Sequence, residues 1–206
     1  MVAVARDPST LTQLAAKGAG LLRTMAQGQP PEPIAPELVE AATWAAVYTG
    51  GEPIARDAIA AIKGSSDAQF RSLAIAALAA ARDPAANQEI EEFIVSGALS
   101  VREQGTYMRN AFQDADRRAG VWEWLRRDFK RISASVPRDA RSRLVSLTAN
   151  LCGDQSRAEI EWFFKPMIGD ISGAPRVYAN ALETVDRCVA WRKAKGAELT
   201  AALRAP

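Results

Sequence analysis

The sequence predicts an all-α fold, a superhelical solenoid of stacked antiparallel helix pairs of the armadillo or HEAT kind, with about ten helices. Three observations carry this. Alanine is abundant and β-branched residues are modest, which favours helix over strand. Proline or glycine clusters recur along the chain. Between them lie segments of about 12 to 20 residues with apolar side chains at helical spacing, and no segment reads convincingly as a strand.

The elements follow in order. Helices are expected over 8–26, 36–49 and 52–63, separated by the Gly28–Pro36 and Gly50–Pro53 clusters. A fourth is expected over 67–82, with Asp67 as N-cap and Phe70, Leu73, Ala74, Ala77 and Leu78 on one face. Asp83 and Pro84 then open a helix over 84–96, a cap followed by proline at the first helical position, and Ile90, Phe93 and Ile94 give it an apolar face. Ser100 caps the next, over 100–113. Helices over 117–132, 138–150, 155–165 and 174–204 complete the set, and Gly196 is a place for the last one to end or bend. The string "ARDP" occurs at Ala5–Pro8 and again at Ala81–Pro84. A helix-pair repeat of roughly 35–45 residues would account for that spacing.

Composition excludes several chemistries. The chain carries 48% hydrophobic and 24% charged residues and a net charge of +2, an ordinary balance for a globular protein. That charge exerts no global pull toward nucleic acid or an acidic membrane, so neither is expected as a partner. No apolar run approaches the ~20 residues a membrane helix needs, and "MVAVARDPST" is too short and too soon charged for a signal peptide. There is no histidine, which removes the usual general base, the serine activator and the commonest zinc ligand. The two cysteines, Cys152 and Cys188, are expected as buried thiols in a reducing compartment, with a disulfide between them as the lesser alternative, and the cytoplasm is the expected location, with a periplasmic or secreted one open.

The stretch "GVWEWLRRDFKRI", Gly120–Ile132, stands out. Trp122, Leu125, Phe129 and Ile132 share one helical face, and Glu123 and Arg127 form a favourable pair one turn apart. Around it, from Arg117 to Arg143, nine basic residues stand against three acidic ones. Such a segment suits a solvated face, or one that attracts phosphate, a carboxylate or an acidic protein surface. The acidic pairs Glu91–Glu92 and Glu159–Glu161 read as solvent faces. "AEIEWFF" reads as a core helix through Ile160, Phe163 and Phe164, with Trp162 on its flank suited to an interface.

Over residues 98–191 the chain resembles the C-terminal helical domain of zinc aminopeptidases of the aminopeptidase N and endoplasmic reticulum aminopeptidase type. Four pieces occur in the family's order: "SVREQGTYMRNAF", "GVWEWLRRDF", "SRLVSLTANLCGDQSRAEIEWFF" and "ALETVDRCVAW". In the second, Trp122 stands at the family's first Trp, Trp124 at its Phe and Phe129 at its last Trp. Gly105 stands where the family usually has Asp, and Asp128 where it has Asn. Residues before these carry the same repeat pattern without a matching motif.

The resemblance implies that residues 1–206 form one C-terminal helical domain of a larger enzyme that removes amino acids from peptide N-termini. It implies a single zinc held by a His-Glu-x-x-His helix in the catalytic part; with no histidine this chain cannot hold that site, so neither a cofactor nor activity is expected of it alone. The domain would close the peptide chamber and limit which peptides enter, with its own catalytic domain and the peptide as partners. Arg143 matches a place where some members contact the catalytic part, and Arg102 lies on the inward-facing Val-Arg-x-Gln helix. Arg126, from the basic segment, completes the expected substrate- or domain-contact set. The competing reading is a free-standing α-solenoid scaffold that binds a protein or peptide in its groove.

Overall fold

The computed structural model describes residues 7–30 and 33–204. Among them there are ten α-helices, three 3-10 turns and no strand, so the all-α class holds. The helices are α1 (Pro8–Ala26), α2 (Pro36–Gly64), α3 (Ala68–Leu78), α4 (Pro84–Val95), α5 (Val101–Gln113), α6 (Arg118–Arg127), α7 (Phe129–Ala134), α8 (Ser142–Leu147), α9 (Ser156–Phe164) and α10 (Ala174–Arg204). No helix among the described residues is long and apolar enough to cross a membrane. The chain divides into two compact units, Met1–Arg117 and Arg118–Pro206.

Helix starts follow the expected caps. Asp67 accepts from the backbone N–H groups of Gln69 and Phe70 at 2.8 and 3.2 Å. Ser100 and Glu103 form a reciprocal capping box at the head of α5. Asp83 accepts from Ala86 N–H at 2.8 Å, and Asp7 from Thr10 N–H at 2.8 Å. The repeated Asp-Pro of "ARDP" is therefore a helix-start device used twice, a cap followed by proline at the first turn. Ala5 and Arg6 of the first copy lie outside the described residues.

The two helices expected over 36–49 and 52–63 form one hydrogen-bonded run broken at Gly51, whose φ of 63° and ψ of −158° leave the helical region. Pro53 lacks the N–H that would continue the ladder, so the sequence breaks the helix where the cluster stands. The helix expected over 117–132 is interrupted at Asp128 and becomes α6 and α7. That expected over 138–150 is a short α8 flanked by two 3-10 turns. Gly196 does not end α10, which runs on to Arg204.

In the first unit, α1 and α2 pack at close range through small residues. A Cβ at Gly18 would stand 2.0 Å from the carbonyl oxygen of Ala42. Ala42, Ala45 and Ala46 are fully buried beside it, with Leu11 and Leu14. Met25 and Leu21 share a cleft with Pro36 and Val39 while Gly18 meets Ala42, so the two helices run antiparallel. Further along, ion pairs between distant segments recur at nearly constant sequence separation. Arg56 meets Glu89 33 residues on, Arg71 meets Glu103 32 on, and Arg82 meets Asp114 32 on. These separations lie a little below the roughly 35–45 residues expected of a helix-pair repeat.

The second unit is built around aromatic side chains. Trp122 packs edge-on to Phe163 at 5.6 Å, Phe129 contacts both Phe163 and Phe164, and Trp122, Trp124, Leu125 and Ile132 are all buried. The expectation of two free thiols fails. Cys152 and Cys188 form a disulfide with their Cα atoms 5.6 Å apart, across 36 residues of chain. Antiparallel packing of α9 on α10 brings the two cysteines together: Arg157 meets Asp186, and Asp154 meets Arg192.

Candidate functional site

The first unit carries a polar groove of about 710 Å³ between the Ser65–Ser66 turn, the start of α3 and the start of α5. Ser65, Ser66, Ser72, Ser100, Arg102 and Thr106 line it. Its wall is a fixed charge pair. Arg71 Nε donates to Glu103 Oε1 at 2.8 Å, and a second guanidinium nitrogen lies 2.7 Å from the same oxygen. Arg71 also donates to the carbonyl of Ile62, while Glu103 Oε2 accepts from the backbone and hydroxyl of Ser100, each at 2.8 Å. Partial burial pushes the Glu103 carboxyl up, but the Ser100 hydrogen bonds and Arg71 outweigh it and hold it below the usual range. Both members of the pair are thus committed to structure.

Arg102 is the groove's remaining cation. It is exposed, and among the described residues its guanidinium forms no ion pair. The helix expected from the sequence turns it outward, since the buried face of α5 is Gln104, Tyr107, Met108, Ala111 and Phe112. An exposed arginine beside hydroxyls and a fixed acid suits a carboxylate or the polar backbone of an extended peptide.

The other two expected arginines lie in the second unit and differ from each other. Arg143, on α8, is exposed and forms no ion pair among the described residues. Arg126 is engaged within its own helix, where it pairs with Glu123 and its guanidinium lies 5.3 Å from the Trp122 ring. The expected Glu123–Arg127 pair is replaced by this one, one residue closer, and Arg127 pairs instead with Asp128 at 2.9 Å.

Nor is the basic run from Arg117 to Arg143 one solvated face. Arg117 is buried in the first unit and reaches the hydroxyl of Tyr107 at 3.4 Å. Burial pushes the Tyr107 phenol up, and Arg117 opposes it. Glu159, expected at solvent, accepts from the Trp122 indole N–H at 2.9 Å, and Glu161 pairs with Arg157 at 2.8 Å. Sequence reasoning missed this use of Glu159. The signal was present in the buried tryptophan itself, because an indole N–H removed from water needs an acceptor. Trp162, expected on a flank, is 73% exposed.

Two further clefts carry less polar chemistry. One of about 370 Å³ is largely apolar, with Met25, Ile34, Val39 and Phe70 in its walls. Another, of about 410 Å³, lies between α9 and α10 and is walled by the Arg157, Glu161 and Asp186 network with Tyr178, whose phenol is pushed up by burial. The residues present do not fit a zinc ion. The sequence has no histidine, both cysteines are tied in the disulfide, and no group of three potential ligands converges among the described residues.

Antiparallel helix packing, side-chain caps at helix starts and open grooves together describe an all-α chain. A family described as ERAP1-like C-terminal domain matches residues 1–187, and the chain belongs to it. The match also covers residues 1–97, whose sequence carries the repeat pattern without a matching motif. Nothing among curated proteins matches the chain.

Proposed function

We propose that this chain is the non-catalytic C-terminal domain of a zinc aminopeptidase. It closes the peptide chamber over a catalytic domain and limits which peptides reach it. The family match over residues 1–187 is the observation that carries this. The zinc, on this reading, belongs to the catalytic domain, and that domain and the peptide are the partners. Arg102, in the polar groove, would meet the peptide, and Arg143 would meet an acidic surface of the catalytic domain. Arg126 is the weakest of the three, being held by Glu123 and Trp122.

The coding sequence upstream of residue 1 tests the reading most directly. An in-frame His-Glu-x-x-His is expected there, and a frame without it would favour the free-standing scaffold. In the protein carrying both parts, Arg102→Ala is expected to raise KM for long peptides roughly 5- to 20-fold while leaving a short aminoacyl reporter unchanged, the loss of one charge-assisted contact. An equal loss on both substrates would remove the groove from the proposal. The isolated chain, incubated with zinc and the same reporter, is expected to show no turnover.

A further inference from the structure

The burial of α10 is sharply divided. Ala174, Ala181, Leu182 and Val185 are buried, with Val185 fully so. Past Val185 no residue of the helix is buried among the described residues. Trp191, Leu199 and Leu203 are 64%, 52% and 78% exposed. The part past Val185 therefore lacks the packing of an apolar face from which most helical stability in proteins comes, and Gly196 within it weakens it further. Something must hold it at its root.

Cys188 stands at that root, one turn beyond Val185, and is bonded to Cys152 in the segment leading into α9. The neighbouring contacts are exposed ion pairs, Arg192 and Lys193 with Asp154 at 2.9 and 3.6 Å, which solvent and salt weaken. Both cysteines are half-buried, so oxidant and reductant can reach them.

We infer that the Cys152–Cys188 disulfide is a permanent clamp on the root of the projecting helix, and that the chain folds and works in an oxidising compartment. This stands independently of the aminopeptidase reading and replaces the expected cytoplasmic location. The bond forms by thiol–disulfide exchange with a disulfide-carrying oxidoreductase. One cysteine thiolate attacks the donor's disulfide to give a mixed disulfide, and the second displaces the donor, which leaves as its dithiol with the two electrons and two protons. Structural disulfides persist where such donors are kept oxidised and are rare where thiols are kept reduced.

The experiment traps thiols in the producing cells with acid and N-ethylmaleimide before lysis, then digests the chain with trypsin. Peptide Leu144–Arg157 linked to Cys188–Arg192, with neither cysteine alkylated, is the expected result. Alkylation of both cysteines without added reductant would overturn the inference. The clamp is read separately by hydrogen exchange on the purified chain. Reduction should accelerate exchange in residues 186–204 at least 10-fold and leave α4 and α5 unchanged. A Cys152→Ser/Cys188→Ser chain should match the reduced form, and exchange in 186–204 that reduction does not move would show that the bond clamps nothing.

Discussion

The two units solve the same problem, holding short helices together, with different materials. The first uses many small contacts. Alanines and Gly18 let backbones approach closely, and ion pairs join segments at a separation of 32 to 33 residues. The second uses few and large ones, a cluster of Trp122, Phe129, Phe163 and Phe164 and a disulfide. Its helices are also shorter and more often broken, from α6 to α9. Regular helices with a constant period can share stability evenly among neighbours. Irregular ones need anchors, and the loss of one anchor should be felt strongly.

The largest effect expected is at such an anchor. Trp122→Ala removes a buried ring, its contacts with Phe163 and Phe164, and the indole N–H that satisfies Glu159. A loss of about 3–5 kcal/mol is expected, as for other buried aromatics. Chemical denaturation followed by hydrogen exchange checks it, with exchange accelerating in 118–204. A loss below about 1 kcal/mol would break the contrast, because it would show stability in the second unit to be as distributed as in the first.

Next comes the disulfide. Cys188→Ser opens a loop whose closure is worth about 2–4 kcal/mol on a chain-entropy account. Unfolding with and without reductant separates the bond from the side chain: the variant should be insensitive to reductant and the parent sensitive. In the first unit the corresponding test is the tightest contact. Gly18→Ala gains helix propensity but places a Cβ against Ala42 carbonyl oxygen. A net loss of about 1–3 kcal/mol is expected. Gly20→Ala, whose Cβ meets nothing within 4 Å, is the control and should be neutral or stabilising.

How much was legible in the sequence follows the same division. Helix starts in the first unit were, because a cap residue acts on its own next turn and the chemistry is local. Asp67, Asp83 and Ser100 all behave as their types dictate. The breaks at Asp128 and around α8 were not, because neither α7 nor α8 starts with a side-chain cap, which leaves their bounds to tertiary context. The disulfide was not legible for the same reason: a separation of 36 residues says nothing of proximity until α9 is laid antiparallel on α10. Of the residues expected at contacts, Arg102 and Arg143 are exposed. Arg126 pairs with Glu123 and lies over the Trp122 ring, contacts that depend on how the helix places its side chains.

The smallest effect sharpens the comparison most finely, because it isolates one ion pair of the first unit from the capping box that shares its carboxylate. Glu103→Gln keeps an oxygen to accept from Ser100 N–H but removes the charge that meets Arg71. A loss of about 1–2 kcal/mol at neutral pH is expected, since the pair is only about one-fifth exposed on either side. The folded chain holds the Glu103 carboxyl below its ordinary value, so the contribution is complete above the ordinary glutamate range and fades as pH falls through the folded value. Parent and variant should therefore converge in urea midpoint under acid and differ at neutral pH. A difference that stays constant down to pH 3 would assign the loss to packing, and the repeated ion pairs would then mark where segments meet without stabilising the contact.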